Sequence, residues 1–200
     1  MAFALCLGAG ITSLLHYLKR HQYLRSISTK LEIGSAGTIT LAVFLLTYYM
    51  YHVQTAYSYV YQHSSADLTW YYRVSALWAG QEGSFLLWGW FILVILMLLK
   101  YTVHKKDISK TGLFELTVTI SLFIASVFLL LLVFKNPFSM YHAVPSGTIE
   151  LTNWNPFVTA FQPPYGQGMN PLLRNPWMAI HPPVLFLGYA AITIPFASAF

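Results

Sequence analysis

Long apolar runs separated by short polar or charged segments make up most of this chain. Each run approaches the roughly 20 residues that a helix needs to cross the hydrocarbon core of a bilayer. The pattern therefore predicts an all-α integral membrane protein with about five transmembrane helices and two longer loops, in which residues 1–200 form a single transmembrane domain. The predicted spans are residues 2–18, 34–52, 84–99, 113–134 and 183–200.

Composition supports the membrane assignment. Hydrophobic residues make up 56% of the chain and charged residues only 8%, whereas soluble domains carry about 25% charged residues. The first run could instead be an uncleaved signal-like segment, but it lacks a basic start and an obvious small-residue cleavage site. The single cysteine, Cys6, excludes an intrachain disulfide and a CxxC motif.

Basic residues are distributed unevenly between the segments that join the spans. The positive-inside rule places the N-terminus and the two longer loops outside the cytoplasm. The net charge of +5 needs no nucleic-acid partner, because most of it lies where membrane topology requires it. The inner group is Lys19, Arg20, Arg25, Lys30, Lys100, Lys105, Lys106 and Lys110, and the outer group is Arg73, Lys135 and Arg174.

A histidine stands at the start of the last apolar run. His181 comes directly before Pro182 and Pro183, and proline is tolerated in the first turn of a helix but disfavours helical geometry in the residue before it. We therefore expect His181 at the mouth of a membrane helix on the outer side. The partial positive charge of a helix N-terminus favours the neutral imidazole, which can bind a metal.

A rare acid marks the outer entrance to the third span. Glu82 lies between Gly80 and Gly83. One interpretation is structural, since an acid near a helix N-terminus stabilises the helix by about 0.3–1 kcal/mol. The other is that Glu82 binds a cationic group or handles protons at the membrane boundary. The sequence leaves both open.

The two outer loops differ from ordinary solvated linkers. Eight of the fourteen tyrosines lie between Tyr48 and Tyr72, where they suit either the bilayer interface or a flat apolar ligand. The loop at residues 136–180 contains seven prolines. Such a density predicts an extended, turn-rich cover rather than another buried helix.

Three motifs together resemble a known family. WAGQEGSFLLW at residues 78–88, the preceding YRVSALW and the later NPLLRNPWMAIHPPVLFLGY resemble the N-terminal part of the cytochrome c maturation haem lyase subunits of the CcmF/NrfE family, within the CcmF/CycK/CcsA superfamily. The resemblance implies part of a larger polytopic bundle in a bacterial or archaeal cytoplasmic (inner) membrane. It also implies b-type haem in transit from a haem chaperone to apocytochrome c, which thiol-reducing and presenting subunits deliver.

The resemblance also implies site residues. His181 matches the external histidine that ligates haem iron, and Trp78, Trp88 and Trp90 would cover a porphyrin face or anchor helix ends at the interface. Gln81 departs from the family, in which many members have histidine at that position. The family's later tryptophan-rich segment and second external histidine have no counterpart here. We therefore expect an N-terminal part that does not form thioether bonds alone.

Other function classes remain open. A quinone-linked or proton-conducting membrane subunit would need ionisable residues at successive depths, and the predicted spans contain almost none apart from His16 and Glu115. A structural membrane anchor would tolerate the loss of His181. His63 and His142 are candidates for a site near His181 because both lie in the outer loops, but they are weaker candidates than His181 itself.

Overall fold

The computed structural model describes residues 1–103, 111–143, 149–152 and 162–200. Lys105, Lys106 and Lys110 of the inner basic group lie outside the described residues. Short 3-10 helices at Ala76–Trp78 and Pro171–Leu173 accompany seven α-helices and two strands in the described part. These are α1 Ala2–Lys19, α2 Gln22–Tyr51, α3 Ser58–His63, α4 Trp70–Ser75, α5 Gln81–Val103, α6 Gly112–Phe134, α7 Pro176–Ser198, β1 Met140–Ala143 and β2 Ile149–Thr152.

Five of the helices are long and apolar enough to cross a membrane. They are α1, α2, α5, α6 and the part of α7 at Ala179–Ser198, with mean hydropathies from 1.3 to 2.7. This confirms the prediction of an α-helical membrane protein with about five spans. Strand structure in the described residues is confined to the antiparallel pair β1–β2, in which Met140 faces Thr152.

The connection between α1 and α2 is much shorter than the hydropathy pattern suggested. Arg20 ends α1 in the left-handed conformation, with φ 58°, and its N–H donates to the His16 carbonyl at 2.8 Å. The helix α2 then begins at Gln22, whereas the predicted span begins at residue 34. Good helix-forming residues extend the helix beyond the apolar run, because hydropathy follows the membrane and not the helix end.

The described residues form two compact units. Unit one contains all of α1 and most of α2, α5 and α6, together with the end of α7. Unit two contains the end of α2, the short helices α3 and α4, the strand pair and the start of α7. Unit one is Met1–Ala42, Phe85–Val133 and Leu185–Phe200, and unit two is Val43–Ser84 and Phe134–Val184.

Small and polar side chains let the helices of unit one approach closely. Ser13 and Thr119 share a hydrogen bond of 2.7 Å between α1 and α6, and Ser28 donates to the Ala9 carbonyl at 2.9 Å. Cys6 is fully buried and donates to the Leu122 carbonyl at 3.4 Å. In an apolar solvent such packing and hydrogen bonding replace the hydrophobic effect as the force between helices.

Two buried carboxylates are neutralised at one end of unit one. Glu32 on α2 is only 1% exposed, and its Oε2 lies 2.5 Å from the Lys100 ammonium on α5. Glu115 on α6 contacts the His16 imidazole at 3.2 Å and the Arg20 guanidinium at 2.5 Å. One contact thus joins α2 to α5, and the others join α6 to α1 and to the turn that follows α1.

A buried tyrosine organises unit two. The Tyr59 side chain is 2% exposed, and its hydroxyl donates to the Leu77 carbonyl at 2.9 Å and accepts from the Gly80 N–H at 3.0 Å. Gly83 lies so close that a Cβ there would overlap the Leu77 carbonyl oxygen. Only glycine therefore permits the close contact between residue 83 and the Leu77 carbonyl. The two hydrogen bonds of Tyr59 hold the turn that leads into α5.

Hydrogen bonds connect the described part of the proline-rich loop to the segment after α2. The Ser58 N–H donates to the Ser139 carbonyl at 2.8 Å, and the Tyr141 N–H donates to the Ala56 carbonyl at 3.0 Å. Thr55 donates through its hydroxyl to the Pro163 carbonyl at 2.6 Å. The described part of the loop is thus extended or turned, apart from one 3-10 turn and the start of α7.

Replacing one partner of the Glu32–Lys100 ion pair should lower stability more than replacing both partners. We expect Glu32→Leu to lower the free energy of unfolding by about 1–3 kcal/mol, because the Lys100 ammonium, whose side chain is only 25% exposed, loses its carboxylate partner. The double variant Glu32→Leu/Lys100→Met should recover most of that loss. Thermal unfolding in detergent measures both, and Lys30→Gln, an exposed change on the same helix, should stay within about 0.5 kcal/mol of the parent. Equal losses in the single and double variants would contradict the pairing.

The close contact between Gly83 and the Leu77 carbonyl predicts that two glycine-to-alanine substitutions will differ strongly in their effect on stability. Gly83→Ala should destabilise by about 1–3 kcal/mol or more, because the new Cβ meets a backbone oxygen that cannot move aside. Gly37→Ala is the matched control: a Cβ there meets nothing within 4 Å, and alanine favours the helix by up to about 1 kcal/mol. The difference in thermal unfolding midpoints tests the packing, and a Gly83→Ala chain as stable as Gly37→Ala would disprove it.

Candidate functional site

The helix that carries His181 begins earlier than its prolines suggested. The Asn175 side chain accepts a hydrogen bond from the Trp177 N–H at 3.0 Å, and Pro176 occupies the first helical position. Asn followed by Pro is a favourable helix start, since the side chain caps a backbone N–H and proline needs none. His181 is consequently the sixth residue of α7 and not the residue before the helix. The expectation of a helix beginning at residue 183 was wrong in this respect.

Two prolines inside α7 leave backbone acceptors without their usual donors. Pro182 and Pro183 have no N–H, so the carbonyls of Met178 and Ala179 receive no intrahelical bond from them. Such carbonyls are tolerated near a helix end, where water or lipid headgroups can reach them. This end of α7 is therefore polar in its backbone, although its side chains are mostly apolar.

An exposed imidazole and an exposed indole share one face of α7. His181 is exposed, Trp177 lies four residues before it and is 77% exposed, and Val184 lies three residues after it and is 59% exposed. Residues three or four apart are neighbours on a helix surface. Among the described residues, no hydrogen bond occupies the His181 ring. The face thus offers a nitrogen ligand next to a flat apolar ring.

Trp177 is a residue that the sequence analysis did not select. Trp177 lies four residues before His181 in the sequence. This spacing makes the two side chains neighbours only because both residues lie in one helix. The helix dipole, by contrast, acts mainly within the first turn. Because His181 lies beyond that turn, its suitability as a ligand depends on exposure rather than on the dipole.

The glycine-rich motif brings a second histidine next to an acid. The His63 ring packs edge-on against the Tyr59 ring, with 4.5 Å between centroids, and a Cβ on Gly80 would collide with its Nε2. Burial lowers the pKa of His63, while the charge of Glu82 opposes that shift. Burial also raises the pKa of the Tyr59 hydroxyl, which keeps the proton that it donates to Leu77.

Glu82 itself occupies the first turn of α5 and is half-buried. This position matches the structural interpretation of a helix-end acid, and its proximity to His63 also matches a role in proton handling. Gln81 is exposed beside it. The two interpretations of Glu82 both stay predictions.

The three candidate tryptophans have different surroundings. The Trp78 carbonyl accepts from the Ser84 hydroxyl at 3.3 Å in unit two. Trp88 in unit one lies between two aromatic rings, Phe128 at 4.6 Å and Tyr189 at 5.3 Å, and both pairs are stacked.

Trp90 donates through its indole N–H to the Thr40 hydroxyl at 2.9 Å, also in unit one. Trp88 and Trp90 thus join helices within their unit, as aromatic packing and interhelical hydrogen bonds commonly do. Their predicted contact with a porphyrin stays a prediction.

The lowered pKa of His63 predicts a pH-dependent stability. The folded chain binds this proton less readily than the unfolded chain, so stability should be constant above the ordinary histidine value of 6.5 and should fall as the pH drops below it. His63→Gln should reduce that fall, and Glu82→Gln should enlarge it by removing the opposing charge. Thermal midpoints between about pH 7.5 and 5.5 test this. A His63→Gln slope like the parent's would argue against the assignment.

Comparisons with known proteins agree on one family. Residues 78–200 match the family model described as cytochrome C assembly protein. The chain is 27% identical to the cytochrome c-type biogenesis protein CcmF of Pseudomonas fluorescens, over 100% of this chain and 28% of the relative. It is 30% identical to the probable cytochrome c-type biogenesis protein NrfE of Escherichia coli strain K12, over 81% of this chain and 26% of that relative.

The fold has a solved counterpart. The structure described as cytochrome c heme lyase CcmF superposes with a TM-score of 0.65 at 20% identity, over 98% of this chain and 28% of that one. The chain thus spans about a quarter of the length of the relatives that it matches. The family model covers more than half of the chain and contains the WAGQEGS motif and His181. This chain belongs to the cytochrome c assembly protein family.

Proposed function

We propose that this chain handles haem during cytochrome c maturation, as one part of a membrane haem lyase. The observation that carries the proposal is the exposed His181 imidazole on α7, with Trp177 one turn before it. Both residues lie within the region that matches the family model. The names of the relatives, which include a cytochrome c heme lyase, support the same activity.

A lone exposed histidine suits haem better than a bare metal ion. Among the described residues, no group of three or more His, Cys, Asp or Glu side chains could hold a metal. A zinc site needs three or four protein ligands, whereas haem iron brings four nitrogens of its own and needs only axial ligands. The donor set near His181 therefore fits one axial bond to haem.

The residues around His181 would orient such a substrate. The imidazole fixes one axial position, and Trp177 provides a flat apolar surface beside it that limits access of water. Haem held there presents the vinyl groups to which cysteine thiols add. The contribution of this chain is therefore positional, since it holds one reactant where the other can be delivered.

The membrane topology inferred from the basic residues supports delivery of haem and apocytochrome c from outside the cytoplasm. Lys19, Arg20, Arg25 and Lys30 lie on the end of the bundle formed by the α1–α2 connection, and the positive-inside rule assigns this end to the cytoplasm. His181, near the start of the fifth span, would then face the extracytoplasmic side of the inner membrane. The partners that family membership suggests for this location are a haem chaperone and apocytochrome c with its thiol-reducing, presenting subunits.

A proton relay is the competing function. His16 and Glu115, the two ionisable residues named in the predicted spans, contact each other at one end of unit one and so provide a single depth rather than a series. A relay needs ionisable groups at successive depths. The haem proposal explains an exposed ligand on α7, which the relay does not require.

Haem titration of the purified chain tests the proposal. His181→Ala should weaken haem binding at least tenfold and remove the histidine-ligated absorption spectrum, because the variant lacks the axial nitrogen. His52→Ala is the control, since His52 is also exposed and directly follows the last residue of α2.

Equal haem affinity and an unchanged spectrum in His181→Ala would sink the assignment of this ligand. Trp177→Ala should keep the axial spectrum but bind more weakly, and imidazole added to His181→Ala should restore the spectrum. A protein that bound no haem before or after substitution, even in the presence of imidazole, would favour a structural anchor instead.

A further inference from the structure

An arginine stands between the proline-rich loop and the start of α7. Arg174 ends the 3-10 turn Pro171–Leu173, and α7 begins two residues later at Pro176. The Arg174 side chain is exposed, and its Nε donates to the Met169 carbonyl at 3.1 Å. This hydrogen bond restrains the orientation of the planar guanidinium group.

The segment before Arg174 is fixed to the loop that follows α3. The Gly168 N–H donates to the Ser64 carbonyl at 3.3 Å, and a Cβ at Gly166 would overlap the same carbonyl oxygen. Gly168 also has φ 80°, a conformation that other residues rarely adopt. Met169 is only 3% exposed. Arg174 therefore extends from a backbone that is held in place by unit two.

The terminal nitrogens of Arg174 are available to a ligand. Within the described part of the chain, its guanidinium makes one hydrogen bond, the one to Met169, and no carboxylate oxygen lies within 4 Å of it. A guanidinium has five N–H donors, and two parallel ones suit the two oxygens of a carboxylate. Arg174 thus offers a restrained donor pair for a carboxylate ligand.

One anion lies near this guanidinium without pairing to it. Hydrogen bonding, and then the charges of Arg174 and Arg73, lower the pKa of the exposed Asp67 carboxyl. Asp67 is therefore ionised at neutral pH. Because solvent screens exposed charges, Asp67 competes only weakly with a carboxylate that contacts the guanidinium directly.

His181 lies on the helix that Arg174 precedes, and both residues belong to unit two. From Pro176 to His181 the helix rises by about 7.5 Å. Helical side chains tilt toward the N-terminus of their helix, so the His181 imidazole leans toward the end at which Arg174 stands. A porphyrin is wider than one helical turn. Its rim can therefore extend from His181, past Trp177, toward Arg174.

We propose that Arg174 binds a propionate carboxylate of the haem whose iron His181 ligates. The inference rests on the proposed haem role of His181 and adds the orientation of the porphyrin. Haem carries its two propionates on one side of the ring and its two vinyl groups on the opposite side. With the propionates at Arg174, the vinyl groups point away from the segment that holds Arg174, where cysteine thiols can reach them.

Haem and haem dimethyl ester separate the propionate contact from the axial bond. The ester keeps the iron and the vinyl groups but has no carboxylate charge. In detergent, with the partition of each porphyrin into micelles measured separately, the unsubstituted chain should bind haem about fivefold more tightly than the ester. Both should give the histidine-ligated spectrum. Equal affinities would overturn the contact with Arg174 and leave His181 as the ligand, whereas a chain that bound neither porphyrin would contradict the haem function itself.

Matched charge variants locate the contact. Arg174→Gln should bind haem and the ester equally and keep the histidine-ligated spectrum, because it retains the axial nitrogen. Lys135→Gln removes the same charge from another exposed position of unit two and should keep the preference for haem. Equal losses in the two variants would show attraction to the whole surface and overturn the assignment. Asp67→Asn should strengthen the binding of haem and not of the ester, and weaker haem binding would contradict the competition.

Resonance Raman spectroscopy covers the case in which Arg174→Gln disturbs the loop. The propionate bending band of bound haem should differ between the unsubstituted chain and Arg174→Gln, while the bands of the axial bond stay the same. Arg174→Lys, which keeps the charge but lacks the paired donors, should show an intermediate preference for haem over the ester. A propionate band that is the same in all three chains would overturn the proposal.

Discussion

A charge inside an apolar bundle must be neutralised where it stands, and unit one is arranged around two carboxylates that meet this requirement. Glu32 and Glu115 come from different helices, and their cationic partners come from the remaining ones and from the turn after α1. An uncompensated charge at either position would cost several kcal/mol, about as much as a whole domain's margin of stability. The ion pairs therefore hold α2 beside α5 and α6 beside the end of α1, while small side chains set the spacing of the helices further along.

Unit two is stabilised differently, since many of its backbone N–H and carbonyl groups lie outside long helices. Tyr59 bonds two of them at once, and the carbonyls around α4 are met by the Arg73 guanidinium, which donates to Leu68 and Ala66 at 2.8 and 2.6 Å. One tyrosine and one arginine thus replace what a sheet or a helix would supply. The aromatic loop is in this respect a folded element, and several of its rings contact one another. Tyr49 and Tyr57 are stacked, with 4.3 Å between their centroids.

The sequence predicts the parts of this structure that depend on local pattern. Apolar runs are sufficient for five spans, because the bilayer imposes their length. The sequence pattern does not predict contacts between distant residues, such as Glu32 and Lys100, which are 68 residues apart. It also assigned to a loop a segment that belongs to the 30-residue helix α2. The start of α7 was missed because the Pro182–Pro183 pair is a stronger local signal than the Asn175–Pro176 cap, although the cap begins the helix. Of the proposed site, the motif selected His181, whereas Trp177 was selected only because the structure places both residues in one helix.

The five spans are buried to very different extents. Within the chain, 44% of the hydropathy window of α6 is buried but only 11% of that of α7. Displacing a helix costs free energy in proportion to the apolar surface that it uncovers. The span that bears His181 is therefore the one whose displacement would uncover the least buried surface within the described residues.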